Sequence, residues 1–348
     1  YTWRWVPAVW ITLGVISACA ALLLLPKEKE TRGSGELYTP LLAGLVLAAV
    51  VQAISHISDS GASSLRVLVS IGAALVSFVI LILVYRKMTD PSLSITPLKQ
   101  GATTLLLIVV ILVPFANTWY YVTMAFQYIL GLDALKTAIA MIPAQLAGMV
   151  GAKALAGPLM RHLGVKKSGV LLLGLLAVGM FSLLLVQYDS PVWLLCACVC
   201  VFSAGFVGSG VVITNAILST APPAESGNTS AYKSAASSIG VALGFIIMGS
   251  VVFGTMQSSM TNRLESAGVP SSQVSQEIDT IKKETQNPDA SPGQAIPLPD
   301  GANPEVVARQ AMTDGLHMNA LVGGAVSVLA VVLFATFRRK LPEADATA

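Results

Sequence analysis

The residues able to do chemistry in this chain are amides, phenols and one lysine, and not acids or histidines. Pro114, Asn117, Tyr121, Met124 and Tyr128 follow one another at spacings of three and four, which is one face of a helix. Pro114 has no amide hydrogen, so the carbonyl of Val110 loses its partner and a kink is expected there. Rings, a phenol and an amide beside a kink offer stacking and adaptable hydrogen bonds. That chemistry holds an amphipathic molecule and does not cleave one. The same stripe also reads as an aromatic belt at a membrane surface, and the residues alone leave both readings open.

Gln145 and Asn215 are the other amides placed as cavity candidates. Gln145 shares a face with Met149 and Lys153. A lysine at the centre of a bilayer costs about 3 kcal/mol on insertion scales. Lys153 lies near the end of its apolar run, so it reads either as snorkelling to the surface or as lining a wet cavity. His56, His162 and His317 are scattered and form no HExxH pattern. Cys19, Cys196, Cys198 and Cys200 fall inside apolar runs without zinc or disulfide spacing. No metal or cofactor is expected, and no nucleophile–base pair points to an enzyme. No Asp or Glu lies in the middle of an apolar run, where a proton pump usually keeps its titratable group.

The elements that must position these residues are membrane helices. Of 348 residues, 54% are hydrophobic and only 11% charged, against roughly a quarter charged in soluble proteins. That balance excludes a soluble enzyme and a disordered chain. A net charge of +3 is too mild to suggest nucleic acid. The partner implied directly is the lipid bilayer. Continuous apolar runs near the 20 residues of a spanning helix occur at about 6–25, 41–57, 67–85, 103–126, 134–156, 169–187, 192–213, 235–254 and 315–337. The predicted fold is therefore all-α with nine transmembrane helices. Gly148 belongs to a stripe of small residues every fourth position, Gly208 follows Ala204, and Gly240 and Gly244 form a GxxxG. These four glycines are expected to let helices pack closely.

The cations are lopsided. Thirteen, among them Lys27, Arg86, Lys99, Lys166, Lys233 and Arg338, fall in loops on one side, against Arg4, Arg66 and Lys136 on the other. The positive-inside rule then puts residue 1 outside and the C-terminus in the cytoplasm. The segment Gly157, Arg161, Gly164, Lys166 and Lys167 is a short basic loop on the inner side. Residues 255–314, rich in Pro, Ser and Gln, read as a long outer loop; within it Asn303-Pro304-Glu305 has the pattern of a helix start.

Five stretches carry a resemblance. Trp3-Arg4-Trp5-Val6-Pro7 and Leu25-Pro26-Lys27 bracket the first run; Gln127 to Leu132 leads through Ala138 to Pro143. Gly157 to Lys167 is glycine-bounded and basic, Pro223 to Asn228 precedes Gly240 and Gly244, and a long loop comes before the last run. In this order, over nearly the whole length, the chain resembles the C-terminal part of the fourteen-helix drug–proton antiporter family of the major facilitator superfamily. Arg161 stands where the family's loop has an acid, so the lock that acid makes is not implied here. The resemblance implies that residues 1–25 are the last helix of an N-terminal bundle. Residues 26–102 would be a cytoplasmic loop and an inserted helix pair, 103–340 the six-helix C-terminal bundle, and 341–348 a cytoplasmic tail. The family's first five helices, with their acid, would lie outside this chain. It further implies an inner-membrane antiporter that exports hydrophobic or amphipathic compounds against protons by alternating access, with the basic loop taking part in the conformational change. A superfamily transporter of a defined solute or lipid-like metabolite, and a non-transporting membrane scaffold, are the alternatives.

Overall fold

A computed structural model describes residues 5–24, 38–60, 65–87, 94–116, 118–221, 225–266, 268 and 304–337. Asn117, the loop 26–37, Asn303 and the tail 341–348 lie outside the described residues. Every regular element among the described residues is helical.

Helix α1 (Trp5–Leu24) carries no charge and buries none of its described side chains against the rest of the chain. Helices α2 (Tyr38–Ser60) and α3 (Leu65–Lys87) pack on each other, and α2 also touches the eighth apolar run. After one turn, α4 (Thr96–Lys99), begins the six-rod bundle. Its first rod is α5 (Gly101–Phe115), then α6 (Trp119–Met124), which continues as a π-turn over Ala125–Ile129. The kink expected at Pro114 is a full interruption just after it. The Ala116 N–H reaches back to the Leu112 and Val113 carbonyls at 3.2 Å, and the ladder restarts with Val122 donating to Thr118 at 2.9 Å.

Asp133 caps α7 (Ala134–Val150) by accepting the Lys136 N–H at 2.8 Å. This bond holds its carboxyl below the usual carboxylate range. α7 runs on through a π-turn, Gly151–Ala156, into α8 (Gly157–Ser182). The chain reverses inside α8 at Gly164, where φ is +76° and ψ 165°, a conformation that needs glycine. The basic segment expected as a loop is thus helical apart from this one residue. Direction is read from α9 (Val192–Leu218). Cys196 donates to the Ala140 carbonyl while Gly148 faces Ser203 and Val207, so α7 and α9 ascend together. Cys198 donates to the Ser182 carbonyl while Gly205 faces Leu176 and Gly208 faces Leu172, so α8 descends against α9. α7 and the part of α8 after Gly164 are therefore antiparallel.

Seven stretches are long and apolar enough to cross a membrane. One of them, Ala134–Leu185, is the pair that doubles back at Gly164. Leu41–Gln52 is a shorter apolar helix. Among the described residues the seven stretches take in eight of the nine predicted runs, since the one that doubles back holds two, and Leu41–Gln52 falls in the ninth.

α10 (Ser226–Ser266) and α11 (Pro304–Thr336) complete the bundle. Both run well past their apolar segments into residues 255–314, expected as one loop. Met260 and Leu264 there pack on Val307 and Ala311 in a small core of their own. Pro304 is the first helical residue, as its pattern predicts.

The rods meet in two ways. At Gly151, Gly205 and Gly240 an added Cβ would strike backbone: that of Ala204, Leu176 and Ile111. α7 and α8 are thus seated directly on α9, and α10 on α5. α11 instead meets α8 through side chains, with Gly323 against Met180, Gly324 against Phe181 and Gly169 against Phe334.

Candidate functional site

The interruption in the first rod decides which aromatic rings face outward. Tyr121 is 3% exposed and packs with Met248 and Val252 between α10 and α11. Tyr120, one residue earlier, is 46% exposed. Its ring meets Phe245 of α10 edge-on at 6.0 Å and Tyr121 at 5.4 Å. The depth of this pair follows from packing. Ile111 and Phe115 lie against Gly240 and Gly244, and Tyr121 against Met248 and Val252. Phe245 is near the middle of the apolar run 235–254, so the pair stands at mid-height of that run.

Behind the rings is a buried polar contact that the sequence did not reveal. Thr118 and Asn319 are both 0% exposed. The Thr118 hydroxyl lies 3.0 Å from Asn319 Oδ1, 3.1 Å from the Ala116 carbonyl and 3.2 Å from Met180 Sδ.

Gln145, Met149 and Lys153 are all exposed on α7, with Lys153 inside the π-turn. Asn215 is exposed near the end of α9, its amide returning to the Val211 carbonyl at 3.2 Å. That end lies beside the start of α5, where the Thr103 and Thr220 hydroxyls meet at 2.9 Å. Asn215 is therefore not at the height of Tyr121, whereas Gln145, one turn before Gly148, lies nearer mid-height. Around Gly164, Arg161, Lys166 and Lys167 are exposed, while Ser168 is buried and donates to the Gly164 carbonyl at 2.7 Å. Of the packing glycines, Gly148 faces Ser203 and Val207, Gly208 the Gly151 carbonyl, and Gly240 and Gly244 the backbone of Ile111 and Phe115.

Exposed polarity is unevenly shared. From 168 to 185, α8 exposes only Leu171, Val178, Phe181 and Leu185. From 316 to 335, α11 exposes only Leu321, Ala325, Val328, Leu329 and Val332. Other rods expose polar groups within their apolar runs: Tyr120, Gln145, Lys153, and Ser238 and Ser250 of α10, while α9 exposes Asn215 just beyond its own run.

A second polar feature lies on the α10–α11 extension. Arg263 donates to Asp314 at 2.9 Å, to Gln310 at 2.6 Å and to Ser259 at 3.1 Å, and Ser259 donates to Asp314 at 2.5 Å. Arg263, Asp314 and Ser259 border an open groove of about 450 Å³, with Thr255, Ser258, Asn262 and Ser266. Sequence reading put Arg263 in a loop, because a polar helix beyond an apolar run leaves no hydropathy signal.

Comparison with known proteins gives two findings. Residues 1–245 match the Major Facilitator Superfamily. The chain is also 24% identical to Multidrug resistance protein Stp of Mycobacterium tuberculosis, from strain CDC 1551 / Oshkosh and from strain ATCC 25618 / H37Rv. Each alignment takes in 97% of this chain and 63% of the relative, so the chain spans under two thirds of the curated relatives' length.

Proposed function

The chain belongs to the Major Facilitator Superfamily, and from that premise we propose that it is the C-terminal part of a proton-coupled exporter of hydrophobic and amphipathic compounds. The family's members are transporters, and the apolar helices are those of a multi-pass membrane protein. The proposed register is that of the sequence: 1–25 ending one bundle, 26–102 an insertion, 103–340 a complete second bundle. The proposed setting is the inner membrane, with the cation-rich end in the cytoplasm.

The observation that carries the reading is the uneven exposure of polar groups. Rods that show hydrocarbon alone suit lipid, and rods that show amides and hydroxyls at membrane depth suit a wet cavity or a facing protein wall. The exposed Tyr120, Phe245 and Gln145 are the proposed substrate wall, and Asn117, outside the described residues, is proposed with them from the sequence. Tyr121 supports the Tyr120 ring from within, and Asn215 lines the cytoplasmic approach. Rings that meet edge-on and one uncharged amide tolerate many ligand shapes, which suits broad specificity. Gly157, Arg161, Gly164, Lys166 and Lys167 gather at the cytoplasmic end, where alternating access needs helices to part and rejoin. That the relatives are named multidrug resistance proteins supports export over import.

The test is flux. Full-length protein in vesicles under an imposed pH gradient is expected to move cationic amphipathic dyes. Stacking of a cation on a ring is worth roughly 0.5–2 kcal/mol, so Tyr120→Ala and Phe245→Ala should weaken apparent affinity from severalfold to tens-fold, unevenly across dyes. Val178→Ala, on the hydrocarbon face, should change nothing. A gradient that moves no dye, or equal effects at Tyr120 and Val178, overturns the proposal. Lys153 favours a second reading, transport of a defined anion. In that case Lys153→Gln would abolish uptake of the anion and leave dyes unaffected.

A further inference from the structure

We propose that Thr118 and Asn319 form a pivot, at which the rod through residues 101–129 changes its bend as the bundle changes state. That the change belongs to a transport cycle rests on the function proposed above; the pivot itself does not.

The hydroxyl of Thr118 has one proton to donate and three acceptors within reach. They belong to three different places: the interruption itself, α8 and α11. Asn319 is fully buried, and its Nδ2 has no partner among the described residues. A buried donor left unmade is costly, and folded proteins keep few of them. The neighbourhood holds a matching surplus. Pro114 supplies no N–H to the Val110 carbonyl, and the helical ladder is cut between Phe115 and Trp119. An unspent amide donor thus stands near the rod in which Pro114 leaves the Val110 carbonyl without its usual donor. A change of bend that brings a carbonyl of 110–116 to Asn319 Nδ2 would satisfy both. Thr118 would then pass its proton from Asn319 to Ala116 or Met180. No bond other than a hydrogen bond is made or broken.

The packing around the contact permits such a change. α5 is seated on α10 backbone to backbone at Gly240, and α8 on α9 at Gly205. α11 meets α8 through Met180, Phe181 and Phe334 side chains, and methionine repacks readily. The seam between α8 and α11, closed by side chains at these glycines, runs past Met180, which the Thr118 hydroxyl also reaches. Interfaces with two packings of similar energy are where proteins switch.

The experiment uses the full-length protein in lipid nanodiscs. Asn319→Leu and Thr118→Val replace the polar groups with apolar ones of similar size. Asn319→Leu, alone or combined with Thr118→Val, is expected to leave the melting temperature unchanged or raised, because no orphan remains. Hydrogen exchange of amides 116–124 should slow. Turnover should fall by roughly tenfold or more, with KM held within about twofold. Thr118→Ser keeps the hydroxyl and should restore turnover. In Asn319→Leu a merely structural contact would instead lower melting temperature and turnover together, and that result overturns the pivot. So does unchanged exchange at 116–124, whatever happens to transport. Slowed exchange in a protein that moves no substrate supports the pivot and refutes the transporter reading alone.

Discussion

Helix α10 carries a graded series of glycines, and the cost of adding one methyl along it can be worked from the structure. At Gly240 a Cβ would land on the Ile111 carbonyl oxygen and lie 3.0 Å from both its C and its Cα. At Gly244 it would stand 2.7 Å from the Phe115 oxygen and 2.9 Å from its Cα. At Gly249 the nearest atom is the Tyr121 hydroxyl at 3.5 Å, and at Gly254 nothing lies within 4 Å. Ordinary contact begins at 3.4 Å, so Gly244→Ala must push backbone away from backbone by about 0.7 Å, and Gly240→Ala by more. Overpacking of this kind costs about 1–3 kcal/mol. Replacing glycine by alanine in a helix returns roughly 0.5–1 kcal/mol. The expected net effects are then a loss of about 1 kcal/mol for Gly244→Ala and about 2 kcal/mol for Gly240→Ala. Gly254→Ala should gain up to about 1 kcal/mol, with Gly249→Ala between. Unfolding of the four purified full-length variants in detergent, by heat and by denaturant, reads the order directly. Equal effects at all four positions, or the largest loss at Gly254, would refute the claim that α10 is seated on the α5 backbone.

Four further outcomes follow from single contacts. Gly164→Ala places a Cβ in a region of backbone space nearly closed to it and should cost about 1–3 kcal/mol, while Gly157→Ala, helical and in open space, should cost nothing; paired melting curves decide. Asp133 is held below its ordinary pKa chiefly by the Lys136 N–H, so its contribution should be complete above the usual carboxylate pKa and fade as pH falls through the lowered one. The melting difference between wild type and Asp133→Ala should therefore vanish in acid. Asp314→Asn should weaken the α10–α11 extension by no more than about 1 kcal/mol, since the pair is over a third exposed, and a double-mutant cycle with Arg263→Gln measures it. Finally, with the native cysteines replaced, Ser266→Cys should react with an impermeant reagent in intact cells and Lys166→Cys only after permeabilisation; the reverse would invert the proposed orientation.

The apolar runs made the bundle legible, because a membrane helix must be apolar wherever it meets lipid. Proline chemistry made the interruption near Pro114 and the start at Pro304 legible too. The facing of the aromatic stripe was not. The spacing of Pro114, Asn117 and Tyr121 assumes an unbroken helix, whereas the interruption before Trp119 and the π-turn at Ala125–Ile129 each reset the helical phase. Tyr121 is thereby turned inward and Tyr120 outward. Asn319 gave no signal, since one amide in an apolar run has no period to betray which way it points. The reversal near Gly164 was legible as a basic break between two apolar runs, but its form was not. The residues beside it favour helix, and only the positive φ of one glycine parts the two rods.

The extension of α10 and α11 beyond the apolar run has an evolutionary consequence. From residue 255 to 266 it rises about 18 Å, and its own small core of Met260, Leu264, Val307 and Ala311 clamps the two strands of the hairpin together. The chain at Ser266 and at Pro304 thus stands on a common base. Insertions and deletions between those points do not reach the register of the spanning rods. Lineages are free to lengthen, shorten or exchange that segment at little cost to the bundle, and divergence in this family branch should concentrate there while the clamp stays put.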